Sequence, residues 1–503
     1  MPLRPLTELR SYGRRAKRGV LWGLGQEVFN ELIHIPTLVV LARLLSPYEF
    51  GVTAAAGFFI SFANRFTKFG FNVALVRMKH VEPAHSSSVF VVSLGMGLVS
   101  WAALTFGSPW LGRFFDSPEA GQVLPVAAFT FIIAAIGTVP SAMMTRDLRY
   151  KAKTVADWSG TLTHSIVAVT LAWNGWSYWS LVYAELARTT VLTTAYLCLG
   201  HWRPSVRFSR TAMREMMSFG VGIYAKRLLD YGTQNLDNLV VGRVLGLTAL
   251  GLYDKAFNTV NKIASRLTLN GPNITFRIFA LIHEDRERFR RAYRKVVLTS
   301  TLLSYPALST LIVVAPQLFL ILFGEQWRSA VAPFQILCIA AMPKMLNAFA
   351  STAVQAIGQV WSEVWRQLVS ILLLIVAVAG FSRWGIEGAA AGVLVATLAQ
   401  SVLMYGLLGT TSGLTPRDVW APQVPSLLCA AGAATLAVLT GQALRLIEPA
   451  PRPWVLLLAQ TSVAIAFFVG FVFRCGFTDV RALVREVMSD VAPRLARTVK
   501  LPA

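Results

Sequence analysis

Long stretches of this chain contain almost no charged residues, and this feature limits the folds that are open to it. Hydrophobic residues make up 55% of the sequence and charged residues only 14%. A helix needs about 20 apolar residues to cross the hydrocarbon of a bilayer. Runs of that length occur at residues 86–112, 120–145, 158–184, 296–324, 388–416, 419–444 and 453–473. Because a helix satisfies its own backbone hydrogen bonds in lipid, the composition predicts an all-α integral membrane protein.

Two halves of the chain resemble each other. The segment ARLLSPYEFG at residues 42–51 reappears two hundred positions later as GRVLGLTALG, at residues 242–251. Residues 108–125 and 316–333 match in the same order, with Phe115 over Phe323. A repeat of this length is typical of duplicated transporter halves with about six helices each. We therefore expect two repeat-related six-helix lobes around a central cleft.

The repeat and the apolar runs together predict about fourteen transmembrane helices, here called spans 1 to 14. Spans 13 and 14 have no counterpart in the repeat. The expected division is a first lobe at 1–199, a cytoplasmic linker at 200–214, a second lobe at 215–410, spans 13 and 14 at 411–476, and a basic amphipathic cytoplasmic tail at 477–503.

Basic residues concentrate in alternate loops. The net charge of +22 comes mainly from residues 4–18, 77–79, 146–153, 203–214, 277–295 and 474–500. The other loops carry mostly single residues, namely Arg43, Arg113, Arg243, Arg328, Arg383, Arg445 and Arg452. This positive-inside pattern predicts a multi-pass membrane protein with both termini in the cytoplasm. It also argues against nucleic acid as the partner of the basic residues.

Polar residues recur at helical spacing in spans 1 and 7 and in spans 2 and 8, which are repeat-related pairs. The stripes are Glu27, Glu31 and His34; Ser61, Arg65, Lys68 and Asn72; Lys226, Asp230, Thr233 and Asp237; and Asp254, Asn258, Asn261, Ser265 and Thr268. Such spacing puts each set along one side of its helix. Because a charge facing lipid costs about 2.5–3.5 kcal/mol on insertion scales, we expect these sides to face the hydrated cleft.

The cleft candidates carry more positive than negative charge. The predicted substrate-binding cations are Arg65, Lys68, Lys226, Arg227, Lys262 and Arg266, and the carboxylates are Glu27, Glu31, Asp230 and Asp237. The excess of cations favours an anionic substrate, and the forked donors of Arg suit a pyrophosphate. Internal pairing is the alternative, for example between Lys226 and Asp230.

The carboxylates of span 1 have two interpretations. Glu27 and Glu31 would bind a coupling proton or sodium ion, since adjacent carboxylates at low dielectric resist joint ionisation. In the second interpretation, Glu27 and Glu31 are counter-charges for Arg65 and Lys68. We expect no cofactor, catalytic residue or metal site, because the four cysteines lie far apart without metal-ligand spacing.

Two aromatic groups have both a packing and a binding interpretation. The cluster Trp173, Trp176, Tyr178 and Trp179 is typical of an interfacial belt, with a sugar-stacking platform as the alternative. The second group, Tyr224, Tyr231 and Tyr253, lies on predicted cleft helices and would contact sugar or pack.

Two segments resemble a known family. KRLLDYGTQNLDNLVVGRVLGLTALGLYDKAFN, residues 226–258, resembles the span 7 to span 8 region of Wzx-type polysaccharide flippases, the PST branch of the MOP superfamily. The counterpart VLARLLSPYEFGVTAAA, residues 40–56, is similar to the opening hairpin of the same family. The resemblance covers both six-helix halves and implies a V-shaped pair of lobes that alternates between inward-open and outward-open states.

The resemblance also implies a substrate, an oligosaccharide linked to undecaprenyl pyrophosphate that moves from the cytoplasmic to the periplasmic leaflet. Its partners would be polysaccharide polymerases and glycosyltransferases, and basic cleft residues would contact the diphosphate. Two other functions fit parts of the pattern. A MATE-like cation or drug antiporter shares the duplicated plan but needs an acidic site. A membrane polymerase or glycosyltransferase would need larger outer loops or clustered carboxylates than this sequence has.

Overall fold

The computed structural model of the chain describes residues 6–67, 75–76, 78, 81–217, 221–268, 271–474 and 476–483, without the side chains at 6–21, 24, 66–67, 215–217, 221–230 and 273. Helices account for the regular structure, and the described residues contain no β-strand. The predicted all-α class is therefore confirmed.

The helices are α1 (Leu6–Leu44), α2 (Pro47–Thr67), α3 (Pro83–Phe114), α4 (Pro118–Ala128), α5 (Thr130–Arg146), α6 (Tyr150–Trp173), α7 (Trp179–Leu199), α8 (Arg210–Met217), α9 (Val221–Leu245), α10 (Leu247–Leu267), α11 (Gly271–Ile282), α12 (Arg286–Leu322), α13 (Val331–Ala356), α14 (Val360–Phe381), α15 (Gly385–Ser412), α16 (Pro416–Trp420), α17 (Val424–Ile447) and α18 (Pro453–Arg474). Spans 1 to 3 are α1 to α3, span 4 is α4 with α5, and spans 5 to 8 are α6, α7, α9 and α10. Spans 9 to 12 are α12 to α15, and spans 13 and 14 are α17 and α18.

Seven helical segments of the described chain are long and apolar enough to cross a membrane. They are Pro83–Phe114, Pro118–Arg146, Arg286–Leu322, Glu325–Ala356, Val360–Ser412, Pro416–Ile447 and Pro453–Arg474. The helices with polar stripes, α1, α2, α9 and α10, are not among them, because charged residues lower their hydropathy. The count of about fourteen spans stays a prediction.

Span 4 differs from the single helix that its apolar run predicts. The backbone begins a helix at Pro118, where the Ser117 hydroxyl accepts a hydrogen bond from the Ala120 amide at 3.4 Å. A turn at Phe129 then separates α4 from α5. The two short helices still form one apolar segment of 29 residues, long enough to cross a bilayer.

Contacts divide the chain into two compact units, Met1–Gly251 and Leu252–Ala503. The predicted lobes divide it elsewhere, at 200–214, and that division stays a prediction. In the first unit, α6 packs against α1 and α7, α3 packs against α4 and α5, and α2 packs against α4 and α9. The core between α2, α3 and α4 is built from Val52, Phe115 and Leu124.

A carboxylate fastens three helices of the first unit. Asp157 on α6 accepts hydrogen bonds from the Gln26 amide of α1 at 2.7 Å and from Lys153 at 3.0 Å. The Tyr196 hydroxyl of α7 donates to its other oxygen. The Asp157 side chain is only 13% exposed, so these donors replace the water that a buried carboxylate would lose. Asp157 is therefore a structural link between α1, α6 and α7.

In the second unit, hydrogen bonds tie α12 to the helix that follows the repeat. Tyr305 donates to the Gln423 side chain at 2.8 Å, and the Thr301 and Ser426 hydroxyls lie 2.8 Å apart. The Ser309 hydroxyl donates to the Ala430 carbonyl at 3.0 Å. Helix α12 also packs against α13 and α18. The helices beyond the repeat are thus integrated into the second unit.

The junction that leads into α17 is held by an ion pair. Asp418 on α16 is 1% exposed and accepts from Arg290 of α12 at 2.7 Å. Its other oxygen accepts from the Thr415 amide at 2.9 Å and from the Thr415 hydroxyl at 2.7 Å. Thr415 and Asp418 form a capping box, which fixes the start of α16. This link positions the chain for its entry into α17.

The described start of the tail packs onto the protein. Residues 478–483 are helical, and Val480 is fully buried against Leu298 and Leu302 of α12. Arg294 and Asp479 lie 3.7 Å apart at the edge of this contact. The remainder of the predicted amphipathic tail lies outside the described residues, as does Cys475. Of the other cysteines, Cys338 and Cys429 are buried and Cys198 is exposed.

Replacement of Asp157 by Ala should destabilise the protein by about 1–3 kcal/mol, because the Gln26 amide and the Tyr196 hydroxyl would lose a buried acceptor. The measurement is the free energy of unfolding of the purified protein in detergent micelles. Glu325→Ala is the control, since it removes an ion pair with Arg328 that is largely exposed. Such pairs contribute about 0–1 kcal/mol. Equal losses in both variants would contradict the structural role of Asp157.

Candidate functional site

On α1, the residues that pack against α6 and the predicted carboxylates occupy adjacent positions. Gln26 contacts Asp157, and the Thr161 hydroxyl lies 3.2 Å from Asn30, so the side of α1 that carries Gln26 and Asn30 packs against α6. Glu27 and Glu31 follow those two residues by one position each. Glu27 is exposed and Glu31 is half-buried. The predicted carboxylates therefore lie next to the packed side of α1, where a solute or a counter-charge can reach Glu27.

Arg65 is the predicted cation whose surroundings are best defined in the first unit. Its guanidinium lies 4.2 Å from the ring centroid of Tyr231 on α9, in a cation–π contact. The Tyr231 hydroxyl donates to the Phe58 carbonyl on α2 at 2.6 Å. The Nε of Arg65 is buried and has no hydrogen-bond partner among the residues that the structure describes. The contact with Tyr231 thus orients the guanidinium of Arg65 through its π face.

The polar stripe of α9 is only partly accessible. Asp237 is 2% exposed and Asn238 is 9% exposed, whereas Gln234 is exposed. Intervals of seven and ten residues place Asn238 and Val241 on the same side as Tyr231, which is the packed side. Burial of Asn238 follows from this packing, whereas Asp237 lies on a different side of α9 and is also buried. The side chains of Lys226, Arg227 and Asp230, and the whole of Lys68, lie outside the described part of the chain.

In the second unit, α10 presents the predicted stripe on a side that the protein covers incompletely. Asn258, Ser265 and Arg266 are exposed, and Lys262 is half-buried. Tyr253, Phe257 and Val260 lie on the opposite, buried side. The division between the two sides follows the amphipathic pattern that the sequence predicts.

Lys344 on α13 joins the α10 stripe, and sequence analysis did not assign it a function. Its amine donates to the Asn261 side chain at 3.3 Å and lies 5.0 Å from the ring centroid of Phe257. A signal was available, since Lys344 is a single charge within the apolar helix α13. Lys344 and Asn261 are 83 residues apart in the sequence, so helical spacing could not predict their contact.

A second lysine of α10, Lys255, was also missed. It is 6% exposed, and its amine lies 5.0 Å from the ring centroids of Phe323 and Trp327. Both aromatic residues are buried, so the amine of Lys255 lies against aromatic rings inside the protein. Lys255 therefore belongs to the interior of the second unit and not to the exposed stripe.

Burial distinguishes the packing and binding interpretations for two of the tyrosines, but not for the tryptophan cluster. Tyr231 and Tyr253 are 3% and 0% exposed, so their role as sugar contacts is wrong for this conformation and packing is correct. Tyr224 has its side chain outside the description. Trp173 and Trp176 are 76% and 49% exposed, which fits both an interfacial belt and a sugar-stacking platform, so the belt stays a prediction.

The available side chains point to binding chemistry. Each unit offers cations and amides, with Arg65 in the first and Lys262, Arg266 and Lys344 in the second. Among the described residues, no group of three or more His, Cys, Asp and Glu side chains could hold a metal ion. Basic side chains beside amides suit an anion with several oxygen acceptors, such as a phosphate ester.

The contact between Arg65 and Tyr231 can be measured by a double-mutant cycle. The coupling free energy should be about 0.5–2 kcal/mol. Tyr231→Phe should preserve it, because the ring remains, whereas Tyr231→Leu should abolish it. The measurement is the cost of Arg65→Ala in the free energy of unfolding, determined in the wild-type protein and in the Tyr231→Phe and Tyr231→Leu variants. An identical cost in all three backgrounds would refute the contact.

Comparison with known proteins extends this picture. Residues 40–332 match the family described as polysaccharide biosynthesis protein. The chain is similar to the lipopolysaccharide biosynthesis protein WzxC of Escherichia coli strain K12, with 23% identity over 421 residues that cover 81% of this chain and 85% of WzxC. It is also similar to the succinoglycan biosynthesis transport protein ExoT of Rhizobium meliloti strain 1021, with 26% identity over 72% of this chain and 73% of ExoT.

A solved structure shares the fold. The inward closed conformation of the lipid II flippase MurJ superposes with a TM-score of 0.67 at 12% identity, over 90% of this chain and 98% of that one. This likeness confirms the predicted transporter architecture. The family match extends from α1 into α13 and includes the polar helices α2, α9 and α10. Since the match covers more than half of the sequence, the chain belongs to the polysaccharide biosynthesis protein family.

Proposed function

We propose that the protein is a flippase that moves undecaprenyl-pyrophosphate-linked oligosaccharides from the cytoplasmic to the periplasmic leaflet by alternating access. The observation that carries the proposal is the family match across the polar helices. Two further similarities support it. ExoT is named a succinoglycan biosynthesis transport protein, and MurJ is named a lipid II flippase.

The positive charge of the predicted stripes supports a pyrophosphate as the group that is bound. In our proposal, Arg65, Lys68, Lys226 and Arg227 bind its oxygens from one half of the protein, and Lys262, Arg266 and Lys344 from the other. Asn261 lies against Lys344 and adds an amide beside this charge. The prenyl chain would stay in lipid while the polar group crosses. The reaction breaks no bond, so binding and orientation are the only tasks of these side chains.

Glu27 and Glu31 have a separate role in the proposal. With Asp230 and Asp237, they balance the basic residues or bind a coupling proton or sodium ion. We propose that any energy coupling comes from such an ion gradient and that the protein uses no cofactor. The repeat units would come from glycosyltransferases and pass to a polysaccharide polymerase, which makes these enzymes the proposed partners.

Loss of two cations from the proposed site should lower flipping at least about tenfold. A hydrogen bond to a charged group contributes about 1.5–3 kcal/mol, and about 1.4 kcal/mol corresponds to a factor of ten. The test variants are Arg65→Ala with Arg227→Ala, and Lys262→Ala with Lys344→Ala. The measurement is movement of a labelled undecaprenyl-pyrophosphate oligosaccharide in proteoliposomes, with and without a proton or sodium gradient.

The matched control removes the same charge from predicted outer loops, by Arg328→Ala with Arg452→Ala, and should flip at the wild-type rate. Full activity in both test variants would contradict the pyrophosphate role. A wild-type protein that moves no lipid-linked sugar but exchanges organic cations for protons or sodium would instead be an antiporter. Growth of polymer from the purified protein would identify a polymerase.

The proposed orientation places both termini in the cytoplasm of a bacterium, in its inner membrane. In a cysteine-free background, Arg207→Cys should react with a membrane-impermeant maleimide only after the cells are opened. Arg452→Cys should react in intact spheroplasts, because it lies in a predicted outer loop. The reverse labelling pattern would show the opposite orientation.

A further inference from the structure

The first turns of α2 and α10 meet through their backbones at two glycines that the duplication places two hundred positions apart. A Cβ on Gly51 would overlap the Leu247 carbonyl oxygen and lie 3.2 Å from the Gly251 nitrogen. A Cβ on Gly251 would overlap the Pro47 carbonyl oxygen and lie 2.8 Å from the Gly51 nitrogen. Each glycine therefore faces the residue four positions before the other, so the contact is symmetric. All four residues belong to the first unit.

The surroundings of the two glycines are mainly apolar. Val52 is fully buried, and Leu247 and Leu250 are 5% and 1% exposed in the same cluster. A Cβ on Gly242 would lie 2.8 Å from the Phe115 ring, so the end of α9 also packs closely here. At the rim, Arg243 forms an ion pair with Asp116, whose side chain is 76% exposed. The contact thus depends on close packing and on one exposed ion pair.

The position of this contact distinguishes it from ordinary glycine packing. Gly112 and Gly121 also approach closely, but they join α3 and α4, which are consecutive in the chain. Gly51 and Gly251 instead join hairpins of different repeats. In the proposed alternating-access cycle, hairpins of different repeats would have to separate on one side of the membrane. The turn before each glycine carries one of the sparse basic residues, Arg43 or Arg243, which the charge pattern assigns to the outside.

The forces at the contact suit a reversible closure. Both first turns carry the partial positive charge of a helix N-terminus, which provides no attraction between them. Apolar burial and close packing favour the closed state, and they depend steeply on distance. A methyl group at either glycine would prevent the approach, since it would overlap a backbone carbonyl that cannot move away as a side chain can.

We propose that Gly51 and Gly251 form the seal of the periplasmic gate, closed in the conformation described here and separated when the protein opens outward. This inference deepens the proposed function, because it identifies the residues that close one side of the transport path. The duplication supplies each half of the seal from one repeat. Both positions require glycine because each backbone contacts the other directly.

Gly51→Ala and Gly251→Ala should shift the protein toward the outward-open state and lower flipping at least about tenfold. Gly57→Ala is the matched control. Gly57 lies on α2 less than two turns away, and no atom is within 4 Å of the Cβ position there. The control should retain the wild-type conformation and rate.

The first measurement reports conformation without requiring transport. Spin labels at Tyr48→Cys and Thr248→Cys, both exposed positions in the two first turns, give the distance across the contact in nanodiscs. Cys198, Cys338, Cys429 and Cys475 are replaced by Ala beforehand. We expect a short distance to predominate with native glycines and with Gly57→Ala, and a longer one with Ala at position 51 or 251. Folded Ala variants that keep the short distance would overturn the proposal.

A second experiment applies if the Ala variants do not fold. With the native glycines present, a disulfide between Tyr48→Cys and Thr248→Cys should stop flipping, and its reduction should restore it. Continued flipping by the cross-linked protein would overturn the gate. If the wild type moves no lipid-linked sugar, the proposed function fails, and the distances alone then decide whether the glycine contact opens.

Discussion

The free-energy cost of an unpaired polar group in hydrocarbon governs how both units are built. In the first unit, the Asp157 carboxylate gathers donors from α1, α6 and α7. In the second, Tyr305 on α12 finds the Gln423 side chain. Such pairs fix the relative rotation of neighbouring helices, because rotation of one helix would break the hydrogen bond and leave a buried polar group without its partner. Packing then fills the space between helices whose orientation is already restricted.

This constraint separates structural from functional polarity. On α1, Gln26 and Asn30 are engaged with α6, while the adjacent Glu27 is exposed. On α10, Asn258 and Arg266 are exposed, although the helix also carries the buried Lys255. A polar residue that stays accessible is unfavourable for insertion and contributes little to packing. Its retention is most simply explained by a solute that it contacts, which is why these helices carry the functional proposal.

Much of the architecture could be predicted from the sequence, because the apolar runs and the duplication are long-range patterns that many residues share. The all-α class and the transporter fold needed no coordinates, whereas the packed role of Tyr231 and Tyr253 was one of two alternatives until their burial was seen. Contacts between distant residues could not be predicted in this way. The position of Lys344 beside Asn261 depends on how α13 crosses α10, which helical periodicity does not specify. Burial of Asp237 could not be predicted for the same reason. Periodicity shows which residues share a side of a helix, but not which other helix packs against that side.

The hydrogen bonds between α12 and the last part of the chain have a consequence for biogenesis. The Tyr305 hydroxyl and the Arg290 guanidinium find Gln423 and Asp418 as partners, and these are translated 118 and 128 residues later. While the ribosome synthesises α13 to α15, the partners of these α12 side chains do not yet exist. The nascent second unit therefore has to tolerate polar groups whose partners are missing until α16 and α17 emerge. A chain truncated before residue 416 would leave the Tyr305 hydroxyl without this acceptor, so we expect the second unit to be complete only when α17 has been inserted.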